Sequence, residues 1–156
     1  MSEHINRQPI DRREQGQSRM AALIQSRSQT LSLYADLAAH RPFNKTPQLI
    51  SELHRFCQAL IDYTASAHFQ LYHKIAEGQE QRSPVADAAR DLYPGIAQST
   101  DVILAFNDDF GEDLEQTYDD LEARLSELGE VLANRIELED QMMMAIRHDR
   151  RELTAS

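Results

Sequence analysis

Residues 47–77, PQLISELHRFCQALIDYTASAHFQLYHKIAE, read as one uninterrupted helix, and this stretch constrains the fold more than any other. Thr46 can cap its start, Pro47 suits the first turn, where a missing N–H is no loss, and Gly78 can supply a left-handed stop. About 31 residues at 1.5 Å each make a rod of roughly 46 Å. At 100° per residue, Ile50, Leu53, Cys57, Leu60, Ile61, Thr64, His68, Leu71, Tyr72 and Ile75 share one broad face. Leu49, Phe56, Tyr63 and Ala67 form a second apolar stripe beside it, so the helix must be central to its domain. A third flank carries Gln58, Asp62 and Phe69, where a core does not require them. An aromatic beside a carboxylate on an exposed flank suggests a protein-docking surface.

The rest of the chain has the same periodicity. Residues 1–17 are polar and aperiodic and are expected to be disordered. A first helix is expected from Ser18 to His40 and, across the short loop RPFNKTP, should pack antiparallel to the second. Ser83-Pro84 opens a short helix to about Leu92, Tyr93-Pro94-Gly95 interrupts it, and Ile96–Phe110 resumes it. After Gly111 a last long helix is expected over about 112–147, with Leu114, Tyr118, Leu121, Leu125, Leu128, Leu132, Ile136, Met143 and Ile146 as its seam. No strand-like alternation or internal repeat is present. The expected fold is therefore all-α, an up-and-down bundle of four principal helices with one interrupted. It occupies residues 18–147 and is followed by a tail over 148–156.

A chain of 156 residues can bury a sizeable core without staples. Its single cysteine, Cys57, falls on the core face, where a thiol packs as a small hydrophobe, and suits a reducing compartment. The N-terminus lacks the apolar run of a signal peptide, and nowhere are 18 apolar residues consecutive, so a cytoplasmic protein without membrane contact is expected. Net charge is −10, which argues against direct nucleic-acid binding, because phosphate neutralisation needs clustered Lys and Arg. The acid is localised: residues 108–140 hold 13 Asp or Glu against Arg124 and Arg135. Such a face either keeps the protein soluble or steers it toward a basic partner.

Two placements break the apolar pattern. Glu139 lands in the centre of the last helix's seam with Arg135 one turn earlier, and His68 lands in the middle of a face that must be buried. A buried charge without a partner is costly, so His68, Arg135 and Glu139 are expected to form a buried polar network. Inward His and carboxylate groups in a bundle also suggest a di-iron site. His68-Phe69-Gln70-Leu71-Tyr72 is similar to the HFxxE ligand motif of hemerythrin-like proteins, but Tyr72 stands where the carboxylate would be and Arg135 where a histidine would be. A guanidinium in the seam repels a metal, so neither metal nor other cofactor is expected. A phosphate loop, a nucleophile elbow and a cysteine pair are all missing, and an enzyme is not expected.

Three stretches carry a resemblance. FCQALIDYTASAHFQLY (56–72), ADAARDLYPGIAQST (86–100) and LSELGEVLANRIELED (125–140) follow one another as in the Rsd/AlgQ family of bacterial anti-sigma factors, the regulators of sigma D. The chain resembles this family over about residues 23–146. It departs by having no tryptophan, with Leu23 at the expected place, by Ala65-Ser66-Ala67 before the His-Phe pair, by His73, and by its long polar N-terminus.

The resemblance implies an anti-sigma factor that binds the primary, housekeeping sigma factor one-to-one. It would block sigma's association with core RNA polymerase and promoter DNA and so favour alternative sigma factors toward stationary phase. Other regulatory proteins are further partners implied by the family. Gln58, Asp62 and Phe69 all belong to the matched signature, which makes them the expected partner-binding residues. The rival readings are a hemerythrin-like metal-binding bundle and a generic helical adaptor.

Overall fold

The computed structural model describes the backbone of residues 8–72, 84–112 and 117–155, and the side-chain surroundings of residues 20–71, 86–112 and 117–148. Four helices run in chain order: α1 (Gln8–Ala38), α2 (Pro47–Ala67), α3 (Pro84–Phe110) and α4 (Leu121–Ala155). Among the described residues there is no strand. α2 passes directly into a wider π-turn, His68–Tyr72. The bundle therefore has four principal helices with one interrupted, and the interruption falls in α2.

Neighbouring helices run antiparallel, as the pairing of residue numbers shows. From one end to the other, α1 meets α2 at His40 and Glu52, at the rings of Tyr34 and Phe56 (5.9 Å), and at Thr30 Oγ1, which donates to the Ala59 carbonyl (3.2 Å). α3 meets α4 at Asp109 and Arg124 (2.8 Å) and, at the far end, at Ser99 and Arg135. α1 closes on α4 through Tyr34, whose hydroxyl donates to the Leu125 carbonyl (2.8 Å), and through Arg27 and Asp140 (2.9 Å). The order around the bundle is thus α1, α2, α3, α4, with the α1/α4 side opposite the α2/α3 side. Leu23, Leu53, Phe56, Leu60, Ile103, Phe106, Leu125 and Leu128 fill the centre, and Phe56, Phe106 and Phe110 tile it with edge-on and tilted rings, as aromatic quadrupoles prefer.

Several boundaries differ from those read in the sequence. α1 begins at Gln8 rather than Ser18, and α4 continues to Ala155 rather than ending near Arg147. Residues 1–7 of the N-terminal segment lie outside the described residues, as do Gly78 and the end of the helix expected over 47–77. α3 is continuous through Tyr93-Pro94-Gly95. Pro94 removes one backbone donor, but Gly95 brings α3 so close to α4 that a Cβ there would stand 2.8 Å from Leu138 Cδ1, and packing offsets the lost bond. α4 starts at Leu121, after a turn in which the Tyr118 ring packs on Phe110 (6.2 Å), while residues 113–116, with Leu114 of the expected seam, lie outside the described residues. At the start of α2 the cap is as expected: the Leu49 N–H donates to Thr46 Oγ1 at 3.2 Å, with Pro47 beginning the helix.

Candidate functional site

The most buried charges in the described residues form one network. Arg135 and Glu139 are 1% and 0% exposed, one turn apart on α4. Arg135 Nε donates to Glu139 Oε2 (3.1 Å), while its Nη1 reaches Ser99 Oγ (2.9 Å), Thr100 Oγ1 (2.7 Å) and the Ile96 carbonyl (3.4 Å) on α3. The Ser99 and Thr100 hydroxyls donate in turn to the same Ile96 carbonyl, so the guanidinium meets their lone pairs. Tyr63 of α2 donates its hydroxyl to Glu139 Oε1 at 2.5 Å, and Arg27 of α1 stands 3.6 Å from that oxygen. All four helices thus converge on a single ion pair. Burial pushes the Glu139 carboxyl above its usual range, against the opposite pull of the Tyr63 hydroxyl, Arg135 and Arg27. Burial, then the charge of Glu139, pushes the Tyr63 phenol up as well.

Tyr63 was the missed member. The sequence offered a signal: a phenol on a buried stripe needs an acceptor, and Glu139 needed donors. His68, placed with Arg135 and Glu139 in the sequence reading, is exposed, with its ring edge-on to Phe69 (5.6 Å). The reason is rotational. The middle of the buried arc of α2 is the stripe Phe56, Tyr63 and Ala67, which turns Ile61, Thr64 and His68 toward the side facing α3.

Gln58, Asp62 and Phe69 are all exposed, Phe69 at 67%. They do not share one flank. Gln58 Nε2 donates to Asp62 Oδ1 (3.0 Å), and both line a shallow cleft toward α1 with Ser26, Gln29, Leu33, Arg55 and Ala59. Phe69 instead lines an open groove of about 500 Å³ between α2 and α3. Its position in the π-turn, which accommodates an extra residue per turn, carries it off the wheel that holds Gln58 and Asp62. Tyr93 and Leu104, 50% and 44% exposed, line the same groove with Asp101, and Arg135, Thr100 and Ile96 belong to its wall. Three of the six large exposed hydrophobic side chains described therefore converge on one groove, with Asp62 around the helix from it.

The localised acid lies elsewhere. Asp108 and Glu112 at the end of α3, Asp119 and Asp120 in the turn before α4, and Glu122, Glu127, Glu130, Glu137 and Asp140 along α4 are exposed; Asp120 and the half-buried Asp109 pair with Arg124, and Asp140 pairs with Arg27. Among the described residues, no three His, Cys, Asp or Glu side chains are grouped to hold a metal ion. No described helix is long and apolar enough to cross a membrane. The Cys57 thiol is buried and pushed up to about 12 by that burial, so it is inert rather than nucleophilic.

Residues 5–147 match the family described as regulator of RNA polymerase sigma(70) subunit, Rsd/AlgQ. The chain belongs to the Rsd/AlgQ family. It is 33% identical over 121 residues to the regulator of sigma D of Enterobacter sp. (strain 638), covering 75% of this chain and 73% of that protein. It is 30% identical over 125 residues to the regulator of sigma D of Yersinia enterocolitica, covering 77% and 75%. No solved structure gives a significant match. The stretches that resemble the family acquire physical reasons here. In 86–100, Gly95 admits Leu138 while Ser99 and Thr100 receive Arg135. In 125–140, Gly129 leaves room for the Tyr34 ring, whose hydroxyl and Cζ would collide with any Cβ there, and Arg135 and Glu139 form the central pair.

Proposed function

We propose that this protein is an anti-sigma factor, a stoichiometric binder rather than a catalyst. It captures the primary sigma factor of RNA polymerase one-to-one and so withholds it from core polymerase and promoter DNA. The cell would then shift toward alternative sigma factors as growth slows. Membership of a family described as regulators of the sigma(70) subunit carries the reading. Its physical support is the surface of α2: an apolar groove rimmed by Phe69, Tyr93 and Leu104, with the exposed carboxylate of Asp62 around the helix from it. An interface of this kind takes apolar anchors in the groove and an Arg or Lys on the carboxylate, and a desolvated charge-assisted bond of that type is often a hot spot.

The test is binding of purified primary sigma factor by calorimetry. Asp62→Ala and Phe69→Ala should each weaken binding at least about tenfold, roughly 1.4 kcal/mol, with the melting temperature nearly unchanged because both side chains are exposed. Full binding by both variants would remove the α2 surface from the interface, and no binding by the wild type would remove sigma as the partner.

A further inference from the structure

The groove between α2 and α3 is lined by Ile61 and Ala65 of α2, by Ala97 and Thr100 of α3 and, from α4, by Arg135. Tyr63 of α2 and Ser99 of α3 are buried and stand outside that lining. Both nevertheless act on it, because Arg135 reaches the two walls at once. Its guanidinium carbon lies over the Tyr63 ring, 5.5 Å from the centroid, while its Nη1 donates to Ser99 Oγ (2.9 Å) and Thr100 Oγ1 (2.7 Å). Arg135 Nε donates to Glu139, which also accepts the Tyr63 hydroxyl. Tyr63 thus holds Arg135 twice, by its ring and, through Glu139, by its hydroxyl. Elsewhere α2 and α3 meet through the edge-on rings of Phe56 and Phe106 (6.1 Å), an apolar contact that tolerates sliding. Hydrogen bonds weaken steeply out of line, and the guanidinium carries its donors in a fixed planar fork, so the Arg135 contacts fix direction as well as distance.

We infer that Tyr63 and Ser99 are positioning residues for the groove: acting through Arg135, they set the separation of the α2 and α3 walls to the one a partner's apolar anchors require. That the two residues set the separation rests on the geometry of the Arg135 contacts; that the separation serves sigma rests on the sigma-binding reading. A groove already held at its bound width spares the partner the cost of ordering it. Loosening the walls therefore lowers affinity without removing any side chain that the partner touches.

The walls and the affinity can be read separately. Nitroxide labels at Ala65→Cys on α2 and Gln98→Cys on α3, both exposed positions, report the distance between the walls of the full chain by double electron–electron resonance, and Cys57 is buried and does not compete for label. Tyr63→Phe keeps the ring and removes the hydroxyl, while Ser99→Ala removes one acceptor of Arg135. Both should broaden and displace the distance distribution in chains that circular dichroism shows to be fully helical. The effect should be larger for Tyr63→Phe, because Thr100 and the Ile96 carbonyl still hold Arg135 in Ser99→Ala. In the unlabelled protein Tyr63→Phe should weaken calorimetric binding of purified primary sigma factor at least about threefold, although Tyr63 lies outside the groove lining. Tyr34→Phe is the control: it also removes a hydroxyl bond between helices, to the Leu125 carbonyl of α4, and should move neither readout. A distribution unchanged in both variants would overturn the inference, as would one changed equally by Tyr34→Phe, which would mark a general loosening of the bundle. Changed distances with undiminished sigma binding would overturn the link between this width and the partner. A wild type that binds no sigma would fall on the partner reading alone, because the distances decide the positioning in either case.

Discussion

Arg135→Met and Glu139→Gln, made singly and together, should be strongly non-additive. In Arg135→Met the Glu139 carboxylate keeps the Tyr63 hydroxyl and Arg27 at 3.6 Å but loses its only fully buried cation. Breaking one side of a buried pair costs about 3–5 kcal/mol, and Arg27 places this case near the lower end, about 3 kcal/mol. In Glu139→Gln the guanidinium keeps Ser99, Thr100 and the Ile96 carbonyl, all neutral acceptors, and again about 3 kcal/mol is lost. The double variant leaves no uncompensated charge. Ser99 and Thr100 still donate to Ile96, and Tyr63 can donate to the glutamine oxygen. Its loss should therefore be about 3 kcal/mol rather than about 6, a coupling of about 3 kcal/mol. Chemical denaturation at neutral pH measures all four corners, and each single variant should melt roughly 6–12 °C below the wild type. Additivity within about 0.5 kcal/mol would refute a shared network.

Three further outcomes follow from other parts of the structure. Gly129→Ala should cost about 1–3 kcal/mol, because its Cβ overlaps the Tyr34 ring, and Tyr34→Ala in the same chain should recover part of that loss in a thermal melt. Cys57 should resist iodoacetamide at pH 8 in the native protein and react in guanidinium, since a thiol pushed up to about 12 carries almost no thiolate; rapid native labelling would contradict its burial. Sigma binding should weaken with salt mainly through a slower association rate, because the exposed carboxylates on α4 lie away from the α2 groove; a dominant change in dissociation rate would put them in the contact itself.

The class of the fold was legible because every buried stripe recurs at helical spacing, and the start of α2 because Thr46 and Pro47 are local signals whose effect does not depend on the rest of the chain. The errors came where tertiary contacts overrule local chemistry. Pro94-Gly95 looks like a break, yet the small residue that weakens α3 is also what admits Leu138 of α4 against the α3 backbone. Residues 117–120 look helical in the sequence, yet Tyr118 packs its ring on Phe110 from the turn before α4, and two carboxylates, Asp119 and Asp120, then sit where the α4 dipole favours them.

The site was half legible for a related reason. A helical wheel assumes that every turn advances equally, and the π-turn at His68–Tyr72 breaks that assumption just where Phe69 is placed. One expected flank thus became two neighbouring surfaces, with Asp62 toward α1 and Phe69 toward α3. The sequence reading also kept the buried charges and the docking surface apart, whereas Arg135, Thr100 and Ile96 are at once members of the network and wall of the groove. Arg135 ties that wall to Glu139, and Glu139 is tied by Tyr63 to α2, the opposite wall. The ion pair therefore fixes the separation of the two helices that form the groove, so the charges that most threaten the stability of this bundle also set the width of the surface it offers.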